Sequence, residues 1–190
     1  ITNIPFLREI GKISEKIIMS TGMCEMKDIE YAIRALGNPE KDRLVILHCT
    51  SSYPCPYEYV NLDVINTFKK KFEYEIGYSD HTLGTTVAIG AVALGASVIE
   101  KHFTLNKNMY GPDHSTSLEP EEFRKMSDQI RIIEKSKGNV IKNIQEIEKD
   151  SRKKVTKMIV AKNPIKKGSI LDESNVSLLR TGNYGLNGQD

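Results

Sequence analysis

The sequence predicts an α/β fold: half of an eightfold β/α barrel, followed by the start of a smaller β-containing piece. Three observations predict it. Short apolar runs alternate with amphipathic stretches four times between residues 16 and 134. Small polar and hydroxyl side chains gather just after each apolar run. Beyond about residue 136 the chain turns rich in Lys and Glu before a new apolar run begins. Strand–helix alternation at this spacing means β-α units on a parallel sheet. In a barrel all strand ends converge on one mouth, which accounts for the polar clusters. A flavodoxin-like open sheet needs only about five strands and remains the structural alternative.

The elements follow in order. Pro5–Ile10 reads as a helix-like segment. Lys16–Ser20 (KIIMS) predicts a strand and Lys27–Leu36 a helix; Arg43–His48 (RLVILH) a strand and Leu62–Phe72 a helix. Glu75–Tyr78 (EIGY) predicts a short strand and Thr85–Leu94 an apolar packing helix. Ser97–Phe103 (SVIEKHF) predicts a strand. Pro120–Glu134 predicts a helix whose start carries Glu119, Glu121 and Glu122, acids that suit the helix dipole. The barrel half is expected over residues 1–136 and a solvated linker, helix or loop, over 137–154. A β-rich piece is expected over 155–190, with a strand at Val155–Ala161, a turn at Ile165–Gly168 and a second short element at Ile170–Val176.

Lys and Arg total 27 against 25 Asp and Glu, a net charge of +2. That is too small to argue for nucleic acid, and no apolar run approaches the ~20 residues that span a bilayer. Three cysteines, Cys24, Cys49 and Cys55, with no C-x-x-C spacing argue against a disulfide framework or a structural zinc site. The expected setting is a reducing cytoplasm.

The chemistry-bearing residues sit at the strand ends. Ser79 and His81 share one face of their strand by alternation, as do Glu100 and His102. If the strands are neighbours, the two imidazoles meet at the mouth, where a pair suits a divalent transition metal. Asp80 or Glu100 is expected to orient an imidazole by accepting its other N–H. Taken singly, each histidine reads equally as a polar strand end. Ser20, Thr21, Ser51, Ser52, Ser79 and Thr82 form a hydroxyl set suited to phosphate oxygens; singly, each reads as a helix cap. Tyr53-Pro54 and Pro56-Tyr57 make a stiff aromatic loop that could wall a sugar pocket. Asp113, in Gly111-Pro112-Asp113-His114, is a candidate hydroxyl-binding carboxylate in a sequence that also spells a turn. His48 reads as a satisfied core histidine.

Together, STGM (Ser20–Met23), HCTSSYP (His48–Pro54), GYSDHTLG (Gly77–Gly84), ALGASVIEKHFTL (Ala93–Leu105) and GPDHSTSLEPEEF (Gly111–Phe123) resemble the N-acetylneuraminate (sialic acid) synthase family, which includes the legionaminic and pseudaminic acid synthases. VAKNPIKKGSIL, within Lys154–Arg180, resembles the start of that family's antifreeze-like (SAF) domain. The resemblance implies the second half of a TIM barrel beginning just after its fourth strand, and a cap domain cut short at Asp190. It implies condensation of phosphoenolpyruvate with an N-acetylated amino sugar, releasing phosphate. His81 and His102 become the metal ligands and the catalytic pair, with manganese the expected ion and magnesium, cobalt or zinc as alternatives. Ser20, Ser51 and Ser79 fall at phosphoenolpyruvate-contacting positions, though some members carry Asn where Ser51 stands. Tyr53 and Asp113 fall at sugar-contacting positions. Arg180 matches an arginine that reaches the sugar in a partner subunit of a domain-swapped homodimer. This piece alone is expected to be inactive and, with two open sheet edges, poorly stable. Rival readings are a zinc hydrolase, which normally needs a third protein ligand, a non-catalytic sugar-binding protein, and an inactive fragment.

Overall fold

The computed structural model describes residues 1–182 and 184–187 and falls into two compact units, Ile1–Gly138 and Asn139–Asp190. In the first, helix α1 (Ile4–Ile13) opens with Asn3, whose side chain accepts from the Phe6 N–H, and with Pro5 in the first turn. Strand β1 (Ile17–Ser20) leads to helix α2 (Met26–Ala35), started by a capping box between Glu25 and Asp28. Strand β2 (Leu44–Cys49) leads to helix α3 (Val64–Lys71), and strand β3 (Glu75–Asp80) to helix α4 (Thr86–Leu94). Strand β4 (Ile99–Lys101) precedes helix α5 (Pro120–Lys137), begun by a second capping box, Glu119 with Glu122.

The four strands lie parallel in the order β1-β2-β3-β4, the half-barrel arrangement. Register and alternation assign the two faces. Ile17, Met19, Leu44, Ile46, Ile76 and Tyr78 face the helices and form the main core with Ile29, Ile33, Ile65 and Phe68. Ile18, Ser20, Leu47, Cys49, Gly77, Ser79 and Glu100 take the other face. Leu44, Ile46 and Ile65 are fully buried. His48 is a core histidine: its Nε2 donates to the Val60 carbonyl at 2.7 Å, and its ring packs on Phe68 and Tyr78.

Two expectations shift at strand ends. β3 runs on to Asp80, because Ser79 and Asp80 pair with Glu100 and Lys101. β4 is shorter than Ser97–Phe103, and Phe103 makes only an isolated bridge to Leu118.

In the second unit, part of the stretch expected as linker is helical. A 3-10 turn (Glu146–Glu148) with a Gln145–Glu148 capping box leads into helix α6 (Lys149–Val155). Strand β5 (Lys157–Ala161) therefore begins two residues later than expected, Val155 being the last helical residue. The element expected over 170–176 is instead mainly a turn, in which Asp172 accepts from the Ser174 N–H and Oγ–H. Strand β6 (Val176–Arg180) follows. It pairs antiparallel with β5, Lys157 opposite Arg180, and strand β7 (Leu186–Asn187) flanks β5 on its other edge. Residues 183 and 188–190 of the expected β-rich piece lie outside the described residues. No described helix is long and apolar enough to cross a membrane.

Candidate active site

The strand ends of the first unit bring most of the expected residues together. His81 and His102 follow β3 and β4 directly, and their rings stand perpendicular with centroids 5.2 Å apart. Tyr53 lies against both, 4.3 Å from His81 and 5.4 Å from His102. Its loop is tied down beside them, since the Cys55 N–H donates to the His81 carbonyl at 2.8 Å. Asp113 approaches from beyond β4, its Oδ2 4.0 Å from His102 Nδ1. The loop carrying Asp113 is held by His114, whose Nδ1 lies 2.7 Å from Thr104 Oγ1, and by the Ser117 hydroxyl, which donates to the Asp113 carbonyl.

The tautomer of His81 follows from its partner. Nδ1 lies 2.9 Å from the Thr50 carbonyl, which can only accept, so Nδ1 carries a proton. In the neutral ring Nε2 then keeps its lone pair, the state a metal ligand needs. The expectation that Asp80 or Glu100 orients an imidazole is corrected. Asp80 is taken up by Lys101, Tyr78 and Thr82. Glu100 accepts the Ser79 hydroxyl at 2.6 Å. Register decides this, because Ser79 faces Glu100 and Asp80 faces Lys101 across the β3–β4 pair.

Cys49 is a member of the site that the sequence reading left as an ordinary free thiol. It ends β2 on the inner face, opposite Ser79. Its Sγ lies 3.7 Å from His81 Nδ1 and 3.9 Å from Ser51 Oγ. Burial pushes this thiol up, but hydrogen bonds from His81, Ser20 and Ser79 outweigh burial and hold it below its ordinary value. The same hydrogen bond to Cys49 raises His81; burial opposes the rise and the Thr50 carbonyl adds to it. Counting by twos from Val45 through Leu47 would have put Cys49 beside the serines.

The hydroxyl set divides. Ser20, Ser51 and Ser79 surround Cys49. Thr21 instead donates to the Leu47 carbonyl at 2.8 Å and Ser52 to the Pro54 carbonyl, so these two hydroxyls hold backbone. Thr82 is buried, with no hydrogen-bond partner on its Oγ1. Gly22 is a close approach: a Cβ there would sit 2.0 Å from Ser51 Oγ and 3.1 Å from Cys49 Sγ. Arg180 ends β6 in the second unit and is exposed.

The comparison with known proteins follows from these motifs. The NeuB family model matches residues 1–142. This chain belongs to the NeuB family. Among its relatives, the N,N'-diacetyllegionaminic acid synthase of Campylobacter jejuni is 46% identical over 185 residues, covering 96% of this chain and 55% of that protein. The enzyme of the same name from Legionella pneumophila is 40% identical over 186 residues, covering 96% and 52%. Among solved structures, the N-acetylneuraminic acid synthetase of Leptospira borgpetersenii superposes with a TM-score of 0.72 at 35% identity, covering 80% of this chain and 54% of that one. The chain thus spans about half the length of the curated relatives it matches.

Proposed function

We propose that this NeuB-family chain carries the metal and phosphate side of a synthase. The reaction would condense phosphoenolpyruvate with an N-acetylated amino sugar of the N-acetylmannosamine kind, giving a nonulosonic acid and phosphate. The observation that carries the reading is the pairing of His81 and His102 at consecutive strand ends, beside a cluster of serines. The sequential parallel order β1-β2-β3-β4 supports reading the first unit as half of a TIM barrel. The antiparallel β6-β5-β7 sheet supports reading the second as the start of an SAF domain. Three free thiols suit a cytoplasmic enzyme.

The residues fit a divalent ion. His81 has Nε2 available, and His102 is close enough to share a ligand sphere with it. Among the described residues no group of three or more His, Cys, Asp and Glu converges, so the other positions would be left to substrate and water. An ion held there, manganese by preference and magnesium, cobalt or zinc as alternatives, would polarise the aldehyde oxygen of the open-chain sugar. The chain's own groups do the positioning. Ser20 and Ser51 would donate to the phosphate of phosphoenolpyruvate, joined by Ser79 once its hydroxyl turns from Glu100, and would hold its C3 against the aldehyde carbon. The C2=C3 electrons form the bond to the aldehyde carbon as its oxygen takes a proton; water adds at C2 and gives up its protons, and the bond from C2 to the phosphate oxygen breaks, leaving the 2-keto acid and free phosphate. Tyr53 would wall the sugar side, and Asp113 would accept from a sugar hydroxyl. Arg180 is proposed to serve the sugar bound in a partner subunit. Its planar guanidinium suits an amide carbonyl.

The test is phosphate release by the intact protein supplied with phosphoenolpyruvate, candidate N-acetylated amino sugars and Mn2+. Release is expected only with a sugar present, and chelation is expected to stop it. Release independent of any sugar, or none with the whole sugar panel, would contradict the reading.

A further inference from the structure

Behind the site, on the opposite face of the strands, lies a buried ion pair that the proposed chemistry does not use. Lys101 and Asp80 face one another in the β3–β4 register, with their side chains 1% and 0% exposed. Lys101 Nζ donates to Asp80 Oδ2 at 2.8 Å and also to the Thr82 carbonyl. Asp80 Oδ1 accepts from the Thr82 N–H at 2.9 Å and from the Tyr78 hydroxyl at 3.3 Å. The phenol of Tyr78 is held far above its ordinary value by burial and by the Asp80 charge, so it stays a donor.

We propose that Asp80 and Lys101 are positioning residues that set the separation and direction of the two imidazoles without touching any ligand. The inference rests on reading His81 and His102 as metal ligands. The geometry is specific to that task. His81 stands between Asp80, the last residue of β3, and Thr82, and both the N–H and the carbonyl of Thr82 are held by the ion pair. The chain on either side of His81 is therefore fixed. His102 follows Lys101 directly, so the same ammonium fixes the backbone that leads into the second imidazole. One ion pair thus couples two strand ends that each carry one ring, and those rings lie 5.2 Å apart.

Stability does not account for the pair. Taking a carboxylate and an ammonium out of water can cost as much as their attraction returns, and well-packed neutral substitutes are often no less stable, so a buried pair is weak evidence of a stabilising role. The same face holds Tyr78, Ile76 and Ile99, which show that this layer accepts apolar side chains. What apolar substitutes cannot supply is the hold on both backbone groups of Thr82. Partners that orient metal ligands from behind typically change metal affinity 10- to 100-fold when removed.

The experiment uses the intact protein and Asp80→Asn/Lys101→Met, which removes both charges and leaves neither one unpaired. Mn2+ affinity is measured by titration, the Co2+ absorption spectrum reports ligand geometry, and a melt in chelator reports the apo fold. The expected result is a melting temperature within a few degrees of the parent, Mn2+ binding weakened by about 10- to 100-fold, and an altered Co2+ spectrum. Affinity within twofold of the parent with an unchanged spectrum would overturn the proposal. Should the double variant not fold, Asp80→Leu/Lys101→Leu, which again leaves no charge unpaired, is read the same way. Collapse of that variant too would make the pair a stability element and end the positioning claim. The parent protein is the control: if it binds no divalent ion, the metal reading itself has failed and this inference falls with it. A parent that binds while the variants bind equally well sinks the positioning claim alone.

Discussion

His81→Ala and His102→Ala are each expected to abolish condensation in the intact protein while leaving it folded. Each imidazole is one of only two protein nitrogens proposed to hold the ion. Its loss weakens binding severely and leaves the aldehyde unpolarised. Lewis-acid assistance contributes several kcal/mol of transition-state stabilisation, so the fall in turnover is on the order of 10^3-fold or more. The fold is expected to persist, because neither ring belongs to the apolar core that holds the sheet to the helices. Turnover near the parent value in both variants would refute the assignment. The His81→Ala subunit also tests Arg180. Mixed with Arg180→Ala subunits, it should regain part of the activity, since one site of each hybrid dimer then has both an intact histidine pair and an intact arginine. No recovery would place Arg180 with its own subunit.

Gly77→Ala is expected to cost a large part of the stability of the sheet through a single added carbon. Gly77 sits mid-strand on the inner face of β3, opposite Leu47. A Cβ there would lie 2.4 Å from Leu47 Cδ2 and 2.5 Å from the Val98 carbonyl oxygen. Leu47 can change rotamer, although it is fully buried with little room to do so. The carbonyl is backbone and can move only with its strand. Val98 accepts the Tyr78 N–H at 2.8 Å, so moving it disturbs the β3–β4 pairing itself. Overpacking of this kind costs about 1–3 kcal/mol, with a backbone clash at the upper end. That corresponds to a melting temperature lower by about 6–12 °C for about 3 kcal/mol in a domain of this size. Ser79 and His81 lie two and four residues further along the same strand and its exit, so substrate binding should weaken too. A melt within 2 °C of the parent would show that the strands can part without penalty.

The sheet was legible because the strands carry alternating or continuous apolar runs, and Lys16–Ser20 and Arg43–His48 both became strands close to their expected limits. That His81, His102, Tyr53 and Asp113 gather in one place was legible because they cluster just after those runs. What the sequence could not show was which side chain answers which across two strands. Asp80 lies next to His81 in the chain, yet it points to the helix side and binds Lys101. Register alone decides that, and register is set by the packing of whole faces. Cys49 was missed for a different reason: alternation along β2 does place it on the inner face near Ser51, but one of three free thiols with no C-x-x-C spacing around it gave no chemical cue. The stretch before β5 has the exposed character that its Lys- and Glu-rich composition suggests, and a helix was one of the two forms expected for it. Local capping at Gln145 and Glu148 starts a helix there with no buried residue at all.

The central claim is that His81 and His102 together hold a divalent ion. Anomalous scattering at the manganese edge, from crystals of the intact protein soaked in Mn2+, tests it most directly. The account predicts one strong peak at the strand ends, within about 2.0–2.3 Å of a ring nitrogen of each histidine, as first-row ions require. A peak bound to only one of the two rings, or no peak at these strand ends with the ion in excess, would contradict it.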